Sequence, residues 1–205
     1  MSDSVERRNL ARAAAHLAAH RRLAVPPLVL MTDDERLADP LAAARALPCG
    51  SMVVVRAHDS AKRTALAKAL MALSRARGLI VLIAEDAALA ASLGADGLHL
   101  PGTHLGEAMH QRARHPAWFM TASVHSLAAL GKAMRLPVDA VFLSPVFATK
   151  SHPGRVALTA VRANLIARAA NLPVYALGGI DARSAGRLAA AFSGVAAVGA
   201  LDVQS

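Results

Sequence analysis

Apolar residues along this chain gather in short unbroken runs rather than alternating with polar ones. Leu28 to Thr32 (LVLMT), Ser51 to Arg56 (SMVVVR), Leu79 to Ala84 (LIVLIA), Gly97 to Leu100, Trp118 to Ala122, Ala140 to Leu143, Val174 to Leu177 and Val195 to Val198 are eight such runs. Each has strand length, and a strand apolar at consecutive positions must be buried on both faces, as in a parallel sheet covered by helices. The intervening stretches are rich in Ala and Leu and carry helix punctuation. Ser60 stands where an N-cap is expected for a helix through Ala76, and Asp86 to Leu93 reads as a short helix stopped by Gly94. Eight β-then-α units in about 180 residues predict an α/β chain folded as a compact (β/α)8 TIM barrel. The rival, an open doubly wound sheet, wants a glycine-rich first turn, and Thr32-Asp33-Asp34 has no glycine.

Both ends of the chain modify that picture. Ser2 to Leu23 reads as one helix, with Leu10, Ala14, Leu17 and Ala18 on an apolar stripe and Arg7, Arg8, Arg12, Arg21 and Arg22 largely off it. Pro26 and Pro27 stop it. An Arg-rich amphipathic start also suits a transit peptide, but Asp3 and Glu6 weigh against that and no cleavage pattern follows. Seven residues follow the last strand run, too few for a full eighth helix. The expectation is one domain over residues 1–205, in which the helix of residues 1–25 packs on the barrel between the eighth and first strands and the eighth helix is truncated.

Composition narrows the class. At 55% apolar residues the 205-residue chain is a packed globule. Every apolar run is broken well short of the ~18 residues of a membrane span, so no membrane partner is expected. The single cysteine, Cys49, excludes an intramolecular disulfide and suits a reducing compartment, so the cytoplasm is the expected location. A formal charge of +9 calls for an anionic partner. Nucleic acid has the right sign, but 3% aromatics are too few for stacking platforms and no recognition motif is present. A phosphorylated small molecule is the expected partner, and a homo-oligomer stays open.

In such barrels chemistry sits at the C-terminal ends of the strands. The residues there are polar almost throughout: Thr32 and Asp33; Arg56, His58 and Asp59; Glu85 and Asp86; His99 and His104; Ser123 and His125; Ser144, Thr149, Lys150, Ser151 and His152; Gly178 and Gly179; then Val198 and Gly199. The glycines of the seventh and eighth turns offer backbone N–H groups where barrels often hold a phosphate, glycine letting an anion approach the backbone closely.

Four strings then stand out: GADGLHL at 94–100, SVHS at 123–126, SPVFAT at 144–149 and ALGGI at 176–180. In order and spacing they resemble the thiamine phosphate synthase and TenI family, over Leu28 to Val198. The resemblance implies a (β/α)8 fold and a role in thiamine biosynthesis. A synthase of this kind joins hydroxymethylpyrimidine diphosphate to thiazole phosphate, releasing pyrophosphate with the help of Mg²⁺. The alternatives are a TenI-like thiazole tautomerase, an isomerase, and a catalytically silent paralogue that binds phosphorylated ligands.

The carry-over is uneven. The diphosphate-binding Arg after the second strand matches Arg56, but the accompanying Lys is His58. The amide and metal-binding carboxylate after the third strand fall on Ala84 and Glu85, and the second metal-binding Asp falls on His104. Glu85 and His104 are thus the metal positions, and an imidazole weakens the fit to Mg²⁺, which prefers oxygen. A transition-metal site built from Glu85, His58 and His104 is a further alternative. The diphosphate-contacting Ser matches Ser123, the Thr of the F-x-T element matches Thr149, and the Lys beyond it aligns with His152, with Lys150 and Ser151 nearby. His125 matches the residue associated with proton transfer in the tautomerases, work that suits imidazole. Arg56, Ser123, His125 and His152 are therefore the expected catalytic residues. His58, Thr149, Lys150, Ser151, Gly178, Gly179, Val198 and Gly199 are expected to bind substrate phosphate.

Overall fold

The computed structural model describes residues 3–21, 25–149 and 156–203. The eight apolar runs form eight strands: β1 (Leu28–Met31), β2 (Met52–Val55), β3 (Ile80–Ala84), β4 (Gly97–Leu100), β5 (Phe119–Val124), β6 (Ala140–Leu143), β7 (Val174–Leu177) and β8 (Gly194–Ala197). All neighbours pair in parallel, in chain order, and β8 closes on β1 with Leu28 opposite Val195 and Leu30 opposite Ala197. The fold is the (β/α)8 TIM barrel that the sequence predicts.

Closure explains why the runs are apolar at consecutive positions. Alternate residues such as Val29, Met31, Met52, Val54, Leu82, Phe142 and Tyr175 fill the barrel interior. The others, among them Leu28, Leu30, Val53, Val81, Leu98 and Val141, meet the surrounding helices in a second, larger core. At the N-terminal end of the barrel the buried Tyr175 hydroxyl donates to the Pro26 carbonyl at 2.8 Å. Burial pushes that phenol far above its ordinary pKa.

The helices are α1 (Asp3–Arg21), α2 (Pro40–Arg45), α3 (Ser60–Arg77), α4 (Ala87–Leu93), α5 (Ala108–Arg114), α6 (Leu127–Ala133), α7 (Ala160–Arg168) and α8 (Ala182–Ala185). Leu10, Ala14 and Leu17 of α1 are buried, while Ala18 is half-buried. The helix packs against β8, β1 and α8, as its apolar stripe implied. Arg7 ties it to the carbonyl of Asp202 at 3.0 Å. After β8 the described chain makes only a 3₁₀ turn, Gly199–Leu201. Among the described residues no helix is long and apolar enough to cross a membrane.

Two local expectations are corrected, and one segment is new. The cap of α3 is Asp59, whose carboxylate accepts from the Lys62 N–H at 2.9 Å, while Ser60 is the first helical residue. The fifth strand runs on to Val124, so Ser123 is a strand residue rather than the start of a loop. Beyond β4 the chain enters a 3₁₀ segment, Gly102–Glu107, which carries His104.

Candidate active site

The strand ends surround a cleft of about 730 Å³ at the C-terminal face of the barrel. Its construction begins where β1 and β2 leave the sheet. The Thr32 hydroxyl donates to the Arg56 carbonyl at 2.8 Å and accepts from the Arg56 N–H at 2.9 Å, which fastens the two strand ends together. Next to it Asp33 is buried and accepts from the Arg36 guanidinium, from Arg56 Nη1 at 3.4 Å and from the Glu35 N–H at 3.2 Å. Burial alone would raise its pKa. The hydrogen bond and charge of Arg36, the Glu35 N–H and the charge of Arg56 outweigh burial and hold the carboxyl below its ordinary range. Arg36 and Arg56 both line the cleft.

His99, on β4, lines the cleft and is nearly inaccessible. Its Nδ1 is 2.9 Å from the Thr121 hydroxyl and its Nε2 is 2.9 Å from the Ser123 hydroxyl, both on β5. The ring meets Phe142 edge-on at 5.1 Å. Burial, helped by the positive charge of Arg56, pushes the imidazole down to about 3. A neutral ring therefore holds Ser123 in place at neutral pH without adding a further cation beside Arg56.

His125 also lines the cleft. Its Nδ1 lies 2.7 Å from the Ser144 carbonyl, an acceptor only, so the proton sits on Nδ1 and the lone pair of the neutral ring on Nε2. Ser144 and Thr149 complete this side. Lys150, Ser151 and His152 lie outside the described residues.

On the adjoining β7 and β8 turns Gly178, Gly179, Val198 and Gly199 are at the lining. Packing gives two of these glycines a further reason. Gly178 and Gly179 have φ of +93° and +64°, and a Cβ on them would come within 2.9 Å of Pro145 Cα and 2.5 Å of the Ala148 carbonyl oxygen. They let the β7 turn pack on the loop after β6. A Cβ on Gly199 would meet open space. Asp181, not anticipated, lines the cleft while its carboxylate caps α8 through the Ser184 N–H.

The metal positions do not come together. Glu85 lines the cleft, its backbone in the left-handed region at φ +67°. His104 is exposed on its 3₁₀ segment and is not part of the lining. His58 is exposed too, its backbone N–H donating to Asp34 at 3.1 Å, and it does not line the cleft either. Among the described residues no three His, Cys, Asp or Glu side chains are grouped to hold a metal ion. One carboxylate of the implied pair, Glu85, lines the cleft, and a hard divalent cation held there would take its remaining oxygens from substrate phosphates and water.

A closed parallel barrel with a polar cleft at the carboxyl ends of its strands defines the class: an α/β barrel built like the enzymes of that fold. A family model described as thiamine monophosphate synthase matches residues 28–201. The thiamine-phosphate synthase of Albidiferax ferrireducens is 32% identical over 204 residues, spanning 92% of this chain and 90% of the relative. That of Bordetella bronchiseptica is 33% identical over 178 residues, 81% and 80% of the two chains. Among solved structures, the thiamine phosphate pyrophosphorylase of Pyrococcus furiosus superposes over 87% of each chain with a TM-score of 0.67 at 21% identity, a likeness of fold. The chain belongs to the thiamine monophosphate synthase family.

Proposed function

We propose that this chain joins hydroxymethylpyrimidine diphosphate to thiazole phosphate and releases pyrophosphate, the reaction its family resemblance implies. The observation that carries this reading is one cleft with cationic side chains on the β1–β2 side and glycine turns on the β7–β8 side. Because β8 pairs with β1, the two regions are neighbours along the barrel rim and together offer anion-binding groups to both substrates. The cleft volume of about 730 Å³ is within the range of small-molecule sites, which is about 300–1,000 Å³.

In the joining step the lone pair of the thiazole nitrogen forms a bond to the pyrimidine methylene carbon, and the carbon–oxygen bond to the diphosphate breaks, its electron pair leaving with pyrophosphate. The nitrogen becomes quaternary, and no proton is transferred. The chain's part is to orient both rings and to stabilise the negative charge that grows on the leaving oxygens. Arg56 is the diphosphate ligand in this scheme, a fork that engages two oxygens at once. Ser123, held by neutral His99, donates to the same group. The backbone of the β7 and β8 turns takes the phosphate of the thiazole. The synthase names of the relatives favour joining over the isomerase and over the silent binding protein.

The test is to supply the purified chain with both substrates, with and without Mg²⁺, and to measure thiamine phosphate and pyrophosphate. Equal amounts of the two products, formed only when both substrates are present, are expected. No product under any of these conditions overturns the reading.

A further inference from the structure

We propose that Arg36 is a second guanidinium ligand of the substrate's diphosphate and that Asp33 is the positioning residue that aims Arg36 and Arg56 together into the cleft. This rests on the joining reaction proposed above, and it concerns a loop to which neither motif nor spacing assigned a role.

The argument starts from the cost of the arrangement. A carboxylate that is only 3% exposed loses its hydration and persists as an anion only when strongly paired. One arginine would suffice for pairing, yet Asp33 takes two, one from each side of the β1–β2 seam. Two guanidinium groups share the one carboxylate, and both side chains line the cleft. They keep 30% and 28% of their surface exposed, so they remain accessible to a ligand from the cleft side.

The platform is anchored on both sides. The Arg56 backbone is fixed by its paired hydrogen bonds with the Thr32 hydroxyl. The Arg36 loop is turned back by the Leu37 N–H donating to the Asp33 carbonyl at 3.2 Å, and Leu37 itself is buried. These bonds fix the backbone from which both arginines extend, Asp33 draws their guanidinium groups together, and the fork geometry of guanidinium matches phosphate oxygens. The departing pyrophosphate needs cationic charge at this end of the cleft. Of the implied metal and cation positions Glu85 brings a negative charge to the lining, and His58 does not line the cleft. The second arginine adds a cation at the lining where His58 does not.

A structural ion pair and a substrate clamp make opposite predictions for Asp33. If Arg36 merely neutralises Asp33, removing the carboxylate charge leaves more positive potential beside an anion and tightens binding. If Asp33 positions the pair, the same change scatters both forks and weakens it. The experiment titrates inorganic pyrophosphate into the full chain by calorimetry, in EDTA and with Mg²⁺, alongside steady-state joining kinetics and a thermal melt for every variant.

The unmodified chain is expected to bind pyrophosphate in EDTA. Arg36→Ala should raise its Kd about 10- to 100-fold, the scale of hydrogen bonds to a charged group, and should raise the KM for the diphosphate but not for thiazole phosphate. Arg36→Lys should recover only part of the loss, and Asp33→Asn should weaken binding as well. The proposal is overturned by a Kd within twofold of the unmodified value in folded Arg36→Ala, or, should that variant not fold, in Arg36→Lys. Tighter binding in Asp33→Asn, or pyrophosphate binding that requires Mg²⁺, overturns it too. The two readings fail separately. Arg36-dependent pyrophosphate binding without any joining removes the proposed function and leaves the clamp, whereas joining with a KM indifferent to Arg36 removes the clamp and leaves the function.

Discussion

His99 shows how a single side chain joins stability to the site. Its ring is buried neutral between Thr121 and Ser123, with a folded pKa pushed down to about 3 against about 6.5 for free histidine. Between those values the unfolded chain binds the extra proton and the folded chain does not, so stability rises with pH across that window. The full contribution is present above about pH 6.5 and is lost as pH falls toward 3. Urea unfolding at pH 7, 6, 5 and 4 should therefore give a falling midpoint, and His99→Gln, which has no titrating group, should show a shallower fall over the same range. Equal slopes in the two proteins would show that other groups govern the acid limb. Residues of this kind are hard to see in a sequence because His99 stands inside an apolar strand run, and only the pairing of His99 with Thr121 across β4 and β5 reveals its partners.

At the scale of elements, caps and turns decide where helices begin and how loops reach the cleft. Asp59 satisfies the Lys62 N–H at the start of α3, and its own N–H donates to Asp34 at 3.3 Å, so the cap also links the β2 loop to the β1 loop. Asp59→Ala should cost about 1 kcal/mol, within the 0.5–2 kcal/mol range of N-cap replacements, measured as a shift of the urea midpoint. Ser60→Ala, at the first helical position, should cost far less. A larger loss at Ser60 would return the cap to the serine. The sequence marks the boundary of this helix to within a residue but not the residue that caps it, because Asp and Ser both cap well and stand side by side. The glycines of the β7 turn teach a similar lesson. Their presence was legible, but their need arises from backbone packing against Pro145 and Ala148, which are more than thirty residues earlier.

For the whole molecule, the barrel closes through β8 and β1, and α1 lies over that seam. Leu10 is fully buried there. Leu10→Ala should destabilise the chain by about 2–5 kcal/mol, the cost of deleting a core leucine and leaving a cavity, read from equilibrium urea unfolding. A loss below 1 kcal/mol would show that the helix is dispensable to the fold.

Consecutive apolar positions in eight runs determined the strands, their parallel order and hence the barrel, because burial on both faces is a local property that each run records for itself. The same logic put the polar strand ends at one face, so the neighbourhood of the cleft was readable, including Arg56, Glu85, Ser123, His125 and Thr149. Which of those residues cooperate was decided only by tertiary structure. His104 and His58, counted with the site by their spacing, are carried outward by a 3₁₀ segment and a loop, whereas Arg36, five residues past the end of β1, is drawn in by Asp33. Sequence spacing measures distance along the chain, while charge pairing and hydrogen bonding depend on distance through space, and barrel closure and strand register set that distance.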